Sequence, residues 1–126
     1  MKIPAELRYS TDHEWVSLDG TRVRVGITDF AQDALSDVVF VDLPSVGAEV
    51  TAGGALGEVE STKSVSEIYA PVSGVVVAVN SDAADAPESI NADPYGVGWL
   101  CEIEVSDPSQ VDGLLDASGY KALTGD

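Results

Sequence analysis

The stretch GEVESTKSVSEIYAPVSG, residues 57–74, decides how the chain is read. Before the lysine, Ala55, Gly57 and Val59 alternate with Glu58 and Glu60. After it, Ser66, Ile68 and Ala70 alternate with Val65, Glu67 and Tyr69. A period of two on both sides of Ser61–Ser64 predicts a β-hairpin over residues 55–70 with Lys63 at its tip. Lys63 is the one basic side chain between Arg24 and Lys121. Alone, such a lysine reads as merely solvated. Yet Ser61, Thr62 and Ser64 are small and leave the amine open, and the alternating arms make the tip a stiff post. That is what a covalently tethered arm needs: acylation removes the charge, and the tether keeps its cargo at high effective concentration.

Working outward, HEWVSLDGTRVRVGIT (residues 13–28) reads as two strands turning at Asp19-Gly20. In TDFAQDALSD, Thr28 or Asp29 caps a short helix near 28–36, with Phe30, Ala31, Ala34 and Leu35 on its apolar face. Strand character resumes from Val38 through the hairpin, and again over APVSGVVVAVN, entered through Pro71 and Gly74. NSDAADAPESINADPYGVG reads as a polar loop, and the segment around Cys101 as a strand. Asp107 and Pro108 then open a C-terminal helix near 108–117, striped by Val111, Leu114 and Leu115. LPSVGAEV and APVSGVVV echo one another, which suggests two similar half-sheets, each giving one arm of the hairpin. The expectation is one mainly β domain over residues 1–126, a flattened sandwich or barrel with two small helices.

Composition narrows the function. With 22 acidic and 6 basic residues the formal net charge is -16; such a field repels phosphate backbones, keeps the chain soluble and monomeric, and draws in basic partners. No apolar run is long enough to span a bilayer, and the start has neither a signal-peptide core nor a transit-peptide pattern, so a cytoplasmic protein is expected. Cys101 is the only cysteine and shares strand parity with Trp99, Ile103 and Val105, so it reads as a buried thiol. His13 is the only histidine, which leaves no His-based metal cluster and no positioned base for a nucleophile. GGALG and GVG lack the lysine of a phosphate-binding loop and read as turns. A catalytic role is not expected.

The lysine hairpin, with a Pro-x-x-Gly strand after it, resembles the modification loop of lipoyl and biotinyl carrier domains. Biotin carriers place methionine on both sides of the lysine, whereas Thr62 and Ser64 stand here; lipoyl domains of 2-oxoacid dehydrogenases usually show Asp-Lys-Ala. The pattern E-S-x-K-S followed by Val65 instead resembles the H-protein family of the glycine cleavage system. Five blocks agree in order: YSTDHEWV, VGITDFAQDALSDVVFVDLP, GEVESTKSVSEIYAPVSGVVVAVN, INADPYGVGWLCEIE and LLDASGY. Together they cover nearly all of residues 7–120.

That resemblance implies a barrel-sandwich hybrid fold and a non-catalytic carrier with lipoate in amide linkage to Lys63. It implies an aminomethyl group loaded by glycine decarboxylase, a pyridoxal phosphate enzyme, then passed by the aminomethyltransferase to tetrahydrofolate, with reoxidation by dihydrolipoamide dehydrogenase. Glu60 and Gly74, with Lys63, match the spacing read by the lipoate-attaching enzyme. Glu14 is implied as the anion facing the nitrogen of the docked, loaded arm, and Phe30 as a further docking position. The family often has His or Tyr where Phe30 stands, and in some members His where Ala34 stands, so hydrogen bonds from that helix to the arm are missing here. Gly74 has a structural alternative, a strand entry that admits no Cβ. Two other functions use the same residues: relay of lipoyl or octanoyl groups to other lipoyl domains, and an unmodified β-sandwich interaction module.

Overall fold

The computed structural model describes residues 2–125. It begins with a short strand β1 (Arg8–Tyr9) and the hairpin of β2 (Glu14–Asp19) and β3 (Arg22–Ile27). Gly20, at φ +67°, takes the left-handed conformation that closes the turn, and Asp19 pairs with Arg22. Then follow α1 (Asp29–Leu35), β4 (Val38–Asp42), β5 (Glu49–Val50), β6 (Ala55–Ser61), β7 (Val65–Tyr69) and β8 (Gly74–Val79). The chain continues through α2 (Ser81–Asp85), α3 (Glu88–Ala92), β9 (Cys101–Val105), α4 (Ser109–Asp112) and α5 (Ala117–Thr124).

The strands form two antiparallel sheets, one ordered β1-β2-β3-β9-β8-β5 and the other β4-β6-β7. The expected β-sandwich is present and does not close into a barrel. The division is unequal, however, and both arms of the lysine hairpin lie in the smaller sheet rather than one in each. Val23, Ile103 and Val76 sit side by side across three strands of the larger sheet, fully buried. Val41, Val59, Leu56 and Ile68 of the smaller sheet join the same core. Burying each such side chain stabilises the fold by about 1.5–3 kcal/mol before the entropy cost of ordering it.

The larger sheet is covered on its other face at the β1–β2 end by a second cluster of Leu7, Tyr9, Trp15 and Tyr120. This is why Glu14, Trp15 and Val16 are buried in succession: β2 has packing on both faces, so the half-buried alternation disappears. The Trp15 indole lies across Gly26 opposite, where a Cβ would run into the ring, and its N–H donates to the Pro94 carbonyl at 2.9 Å.

Three expectations are corrected. A bulge in the β6–β7 pairing between Ala55 and Gly57 turns Leu56 into the core, leaving Ala55 exposed and Gly57 half-buried. The segment after Asn80 is not a plain loop: the Asn80 side chain accepts from Ala83 N–H and caps α2, its amide donates to the Val97 and Trp99 carbonyls, and Ile90 of α3 is fully buried. The C-terminal helix near 108–117 is split. Asp107 caps the turn through Ser109 as expected, but α4 ends at Asp112, and Leu115 exchanges backbone bonds with Tyr9, both at 2.8 Å. Asp116 then caps a separate α5 by accepting from Gly119 N–H at 2.8 Å. No helix among the described residues is long and apolar enough to cross a membrane.

Candidate functional site

The hairpin tip is held by its own serine and by the neighbouring chain. Ser61 N–H donates to the Ser64 carbonyl at 2.8 Å, and the Ser61 hydroxyl accepts from Lys63 N–H and Ser64 N–H at 3.2 and 3.1 Å. Thr62 N–H donates to the Asp37 carbonyl at 3.1 Å. These bonds fix the two-residue turn, so small polar residues are needed for geometry as well as for access. Lys63 is exposed, and its ammonium donates to the Ala34 carbonyl at 3.3 Å. Ala34 lies in the last turn of α1, the negative end of that helix. Thr28 caps the other end by accepting from Ala31 N–H.

Beside the tip lies a cleft lined by His13, Phe30, Ala34, Ser64 and Val65. Phe30 stacks on the His13 ring with centroids 4.6 Å apart. His13 has φ +69°, a left-handed conformation reached in the tight turn from Ser10. Its Nδ1 is 2.7 Å from the Tyr120 hydroxyl, which is also 2.7 Å from Thr28 Oγ1. Asp12 borders this cleft and the next one, whose walls include Tyr9, Ser10, Ala70 and Leu114 and whose floor holds Glu14. The two clefts thus adjoin at Asp12, one beside the lysine hairpin and the other lined by a buried carboxylate.

Glu14 is 1% exposed. Its Oε1 accepts from the Ser10 hydroxyl at 2.5 Å and its Oε2 from Tyr69 N–H at 3.3 Å. Burial pushes the carboxyl up to about 7, against the lowering effect of those two bonds. Burial lowers His13, partly offset by Asp12. Cys101 is fully buried, as read from the sequence, and burial pushes its thiol up to about 12.

Of the residues singled out in the sequence, Phe30 lines the cleft beside the Lys63 hairpin tip, and Glu14 lines the neighbouring cleft that shares Asp12 with it. Glu60 does not join them; it pairs with Phe40 and Val65 on the outer face of the smaller sheet. Gly74 stands at the start of β8 in the other sheet, where a Cβ would strike the Glu104 carbonyl oxygen and the Ile103 side chain. That geometry supports the structural reading of Gly74. Ser10, Asp12, His13 and Tyr120 were not singled out as site residues. Ser10 sits four residues before Glu14 and Tyr120 closes a distant block, so only the fold joins them.

A β-sandwich that displays a single amine on a braced hairpin, beside a cleft that adjoins a second one lined by a buried carboxylate, has the layout of a carrier domain. The chain belongs to the glycine cleavage H-protein family, whose model matches residues 7–126, and it is a non-catalytic carrier subunit. It is 61% identical over 124 residues to the glycine cleavage system H protein of Micrococcus luteus, covering 97% of both chains. It is 55% identical to that of Myxococcus xanthus over 121 residues, covering 96% of this chain and 94% of the other. A crystal structure of a glycine cleavage system H protein from Mycobacterium marinum superposes with a TM-score of 0.91 at 48% identity, covering 98% of this chain and 100% of that one.

Proposed function

We propose that the chain is a lipoyl shuttle of the glycine cleavage system, with lipoate in amide linkage to Lys63. It takes the aminomethyl unit from glycine decarboxylase to the tetrahydrofolate-dependent aminomethyltransferase, and is then served by dihydrolipoamide dehydrogenase. The observation that carries the reading is an exposed Lys63 on a braced hairpin, beside a cleft that adjoins at Asp12 a second one lined by the buried Glu14. The cleft residues fit the group: Phe30, Ala31, Leu35 and Val65 offer apolar wall to an aliphatic chain, and Glu14 with Ser10 offers acceptors to a cationic nitrogen. When bound, lipoate supplies a disulfide that can be opened to hold a one-carbon unit and closed again by oxidation.

The chain's own residues position and shelter. Ser61 and the Asp37 carbonyl hold the attachment point still. Ala34 lends its carbonyl to the free ammonium, whose charge is lost when acylation turns it into a neutral amide N–H. Glu14, poised near neutrality, ionises as a cationic nitrogen approaches, because the new opposite charge offsets its desolvation. Tyr120 and Thr28 hold His13, which in turn props Phe30 at the mouth.

Intact mass spectrometry after co-expression with a lipoylating system tests the reading. The wild type is expected to gain the mass of one lipoyl amide. Lys63→Arg is expected to gain none, to melt like the wild type and to support no tetrahydrofolate-coupled glycine cleavage. Lipoylation persisting in that variant would refute the assignment.

A further inference from the structure

Glu14 is the only buried carboxylate among the described residues, and no cation holds it: the ion pairs there join Arg22 and Arg24 to Glu102. Its one side-chain donor is Ser10. Ser10 directly follows β1 and is buried. Its backbone N–H donates to the Glu14 carbonyl at 2.9 Å, and its carbonyl accepts from His13 N–H at 3.3 Å. The Ser10 hydroxyl oxygen accepts from Glu14 N–H at 3.1 Å and from Asp12 N–H at 3.3 Å, which turns its hydrogen toward Glu14 Oε1 at 2.5 Å. Closing the turn needs only the bonds to the backbone. The third is aimed at a carboxylate that shares the cleft wall with Ser10. Oε1 takes one donor from Ser10 and Oε2 one from Tyr69 N–H, so each oxygen keeps room for a further donor.

Resting on the carrier reading above, we infer that Ser10 is a positioning residue of the shelter, its hydroxyl holding the Glu14 carboxylate in place to receive the cationic nitrogen of a loaded arm. Ser10 acts on the cargo through Glu14. The other groups around that carboxylate do not replace it. Asp12, on the same turn, opposes its charge. Tyr9 of β1 and Tyr120 of α5 are phenols that burial keeps neutral, and burial lowers His13 as well. Tyr69 contributes a backbone N–H at 3.3 Å, longer than the bond from Ser10. Ser10 is thus the one side chain that favours the ionised form, and a hydrogen bond to a charged group is among the strong ones. What the shelter prevents is hydrolysis: water adds to the one-carbon unit, its C–S bond breaks, the sulfur leaves as a thiol, and formaldehyde and ammonia are released.

The test loads the lipoylated chain from glycine with the decarboxylase, removes that enzyme, and follows formaldehyde release with no folate present. Dividing each rate by that of the same loaded chain unfolded in urea cancels the cargo's own pH dependence. Ser10→Ala is expected to shed the unit about tenfold faster near neutral pH and to need a higher pH for full protection, because Glu14 then ionises later. Ser10→Thr keeps the hydroxyl and should keep the wild-type profile. Ser10→Val has the shape of threonine without the hydroxyl and should follow Ser10→Ala, so the Thr–Val pair decides if the alanine variant does not fold. In a Glu14→Gln background, Ser10→Ala should change the rate by about twofold at most, since the carboxylate it serves is gone. Carbon NMR titration of Glu14 in the unlipoylated chain should show a midpoint raised by Ser10→Ala and unmoved by Ser10→Thr. Equal acceleration at every pH, or the same acceleration with Glu14 replaced, would mean that Ser10 only closes the turn, and overturns the inference. So does wild-type release from Ser10→Ala. If the wild type never gains the lipoyl mass, the carrier reading itself fails; if it loads and the Ser10 variants release as wild type, only the role of Ser10 fails.

Discussion

Replacing Glu14 by Gln should change how stability depends on pH, in a direction fixed by burial. Glu14 rises from 4.5 to about 7 on folding. Between those values the native state keeps a proton that the unfolded state has released, so stability falls as pH rises, and the loss is complete above about 7. At about 1.4 kcal/mol per tenfold change in proton affinity, the full effect is about 3 kcal/mol, of which roughly 2–3 kcal/mol falls between pH 5 and pH 8. Glutamine has no such titration. His13 and Asp12 remain in both proteins, so their contributions cancel in the comparison. Urea unfolding followed by the fluorescence of the two tryptophans, Trp15 and Trp99, gives ΔG at each pH. The wild type should lose roughly 2–3 kcal/mol more than Glu14→Gln from pH 5 to pH 8, with the variant the more stable protein at pH 8. Parallel curves for the two proteins would show that Glu14 is ionised in the native state throughout, and the account of the cleft floor would fall.

Gly74→Ala should cost about 1–3 kcal/mol, because the new methyl meets backbone and Ile103 rather than a yielding surface; a Tm equal to wild type would refute this, and normal lipoylation of the folded fraction would assign Gly74 to structure alone. Tyr120→Phe leaves His13 Nδ1 and Thr28 Oγ1 without their shared partner and should cost about 1–3 kcal/mol. Amide exchange over residues 117–124 should quicken in that variant, and unchanged protection would mean α5 is held by apolar packing only.

The hairpins and α1 were legible because local chemistry and tertiary packing agree there. Asp19-Gly20 supplies the turn, Thr28 caps the helix, and the falling arm alternates as written. Where they disagree, the pattern misleads. Leu56 enters the core through a bulge that a period of two cannot express. Helices α2 and α3 have five residues each, too few for a helical period, and the start of α2 rests on Asn80, whose second role lies across the chain at Val97 and Trp99. The split of the C-terminal helix comes from Leu115 finding β1, a pairing between residues far apart in sequence. In the site, Lys63 stood out by its isolation. Glu14, one carboxylate among many, was singled out only by family resemblance. Its burial arises because a second apolar cluster, anchored by Tyr120, covers β2 from behind.

The bond from Thr62 N–H to the Asp37 carbonyl joins the hairpin tip to the residue just beyond α1, while Phe30 and Ala34 of α1 form one wall of the cleft. Attachment point and berth thus belong to one mechanical piece. The distance an arm must span to reach shelter is therefore set by a direct bond between tip and wall rather than by the sandwich as a whole. Lengthening the hairpin by two residues would detune that distance even with the lysine kept, and a graft of residues 55–70 onto another sandwich would carry the anchor without the harbour. Anchor and shelter together need residues from Ser10 to Tyr120, since His13, Glu14 and Tyr120 complete the clefts beside the hairpin.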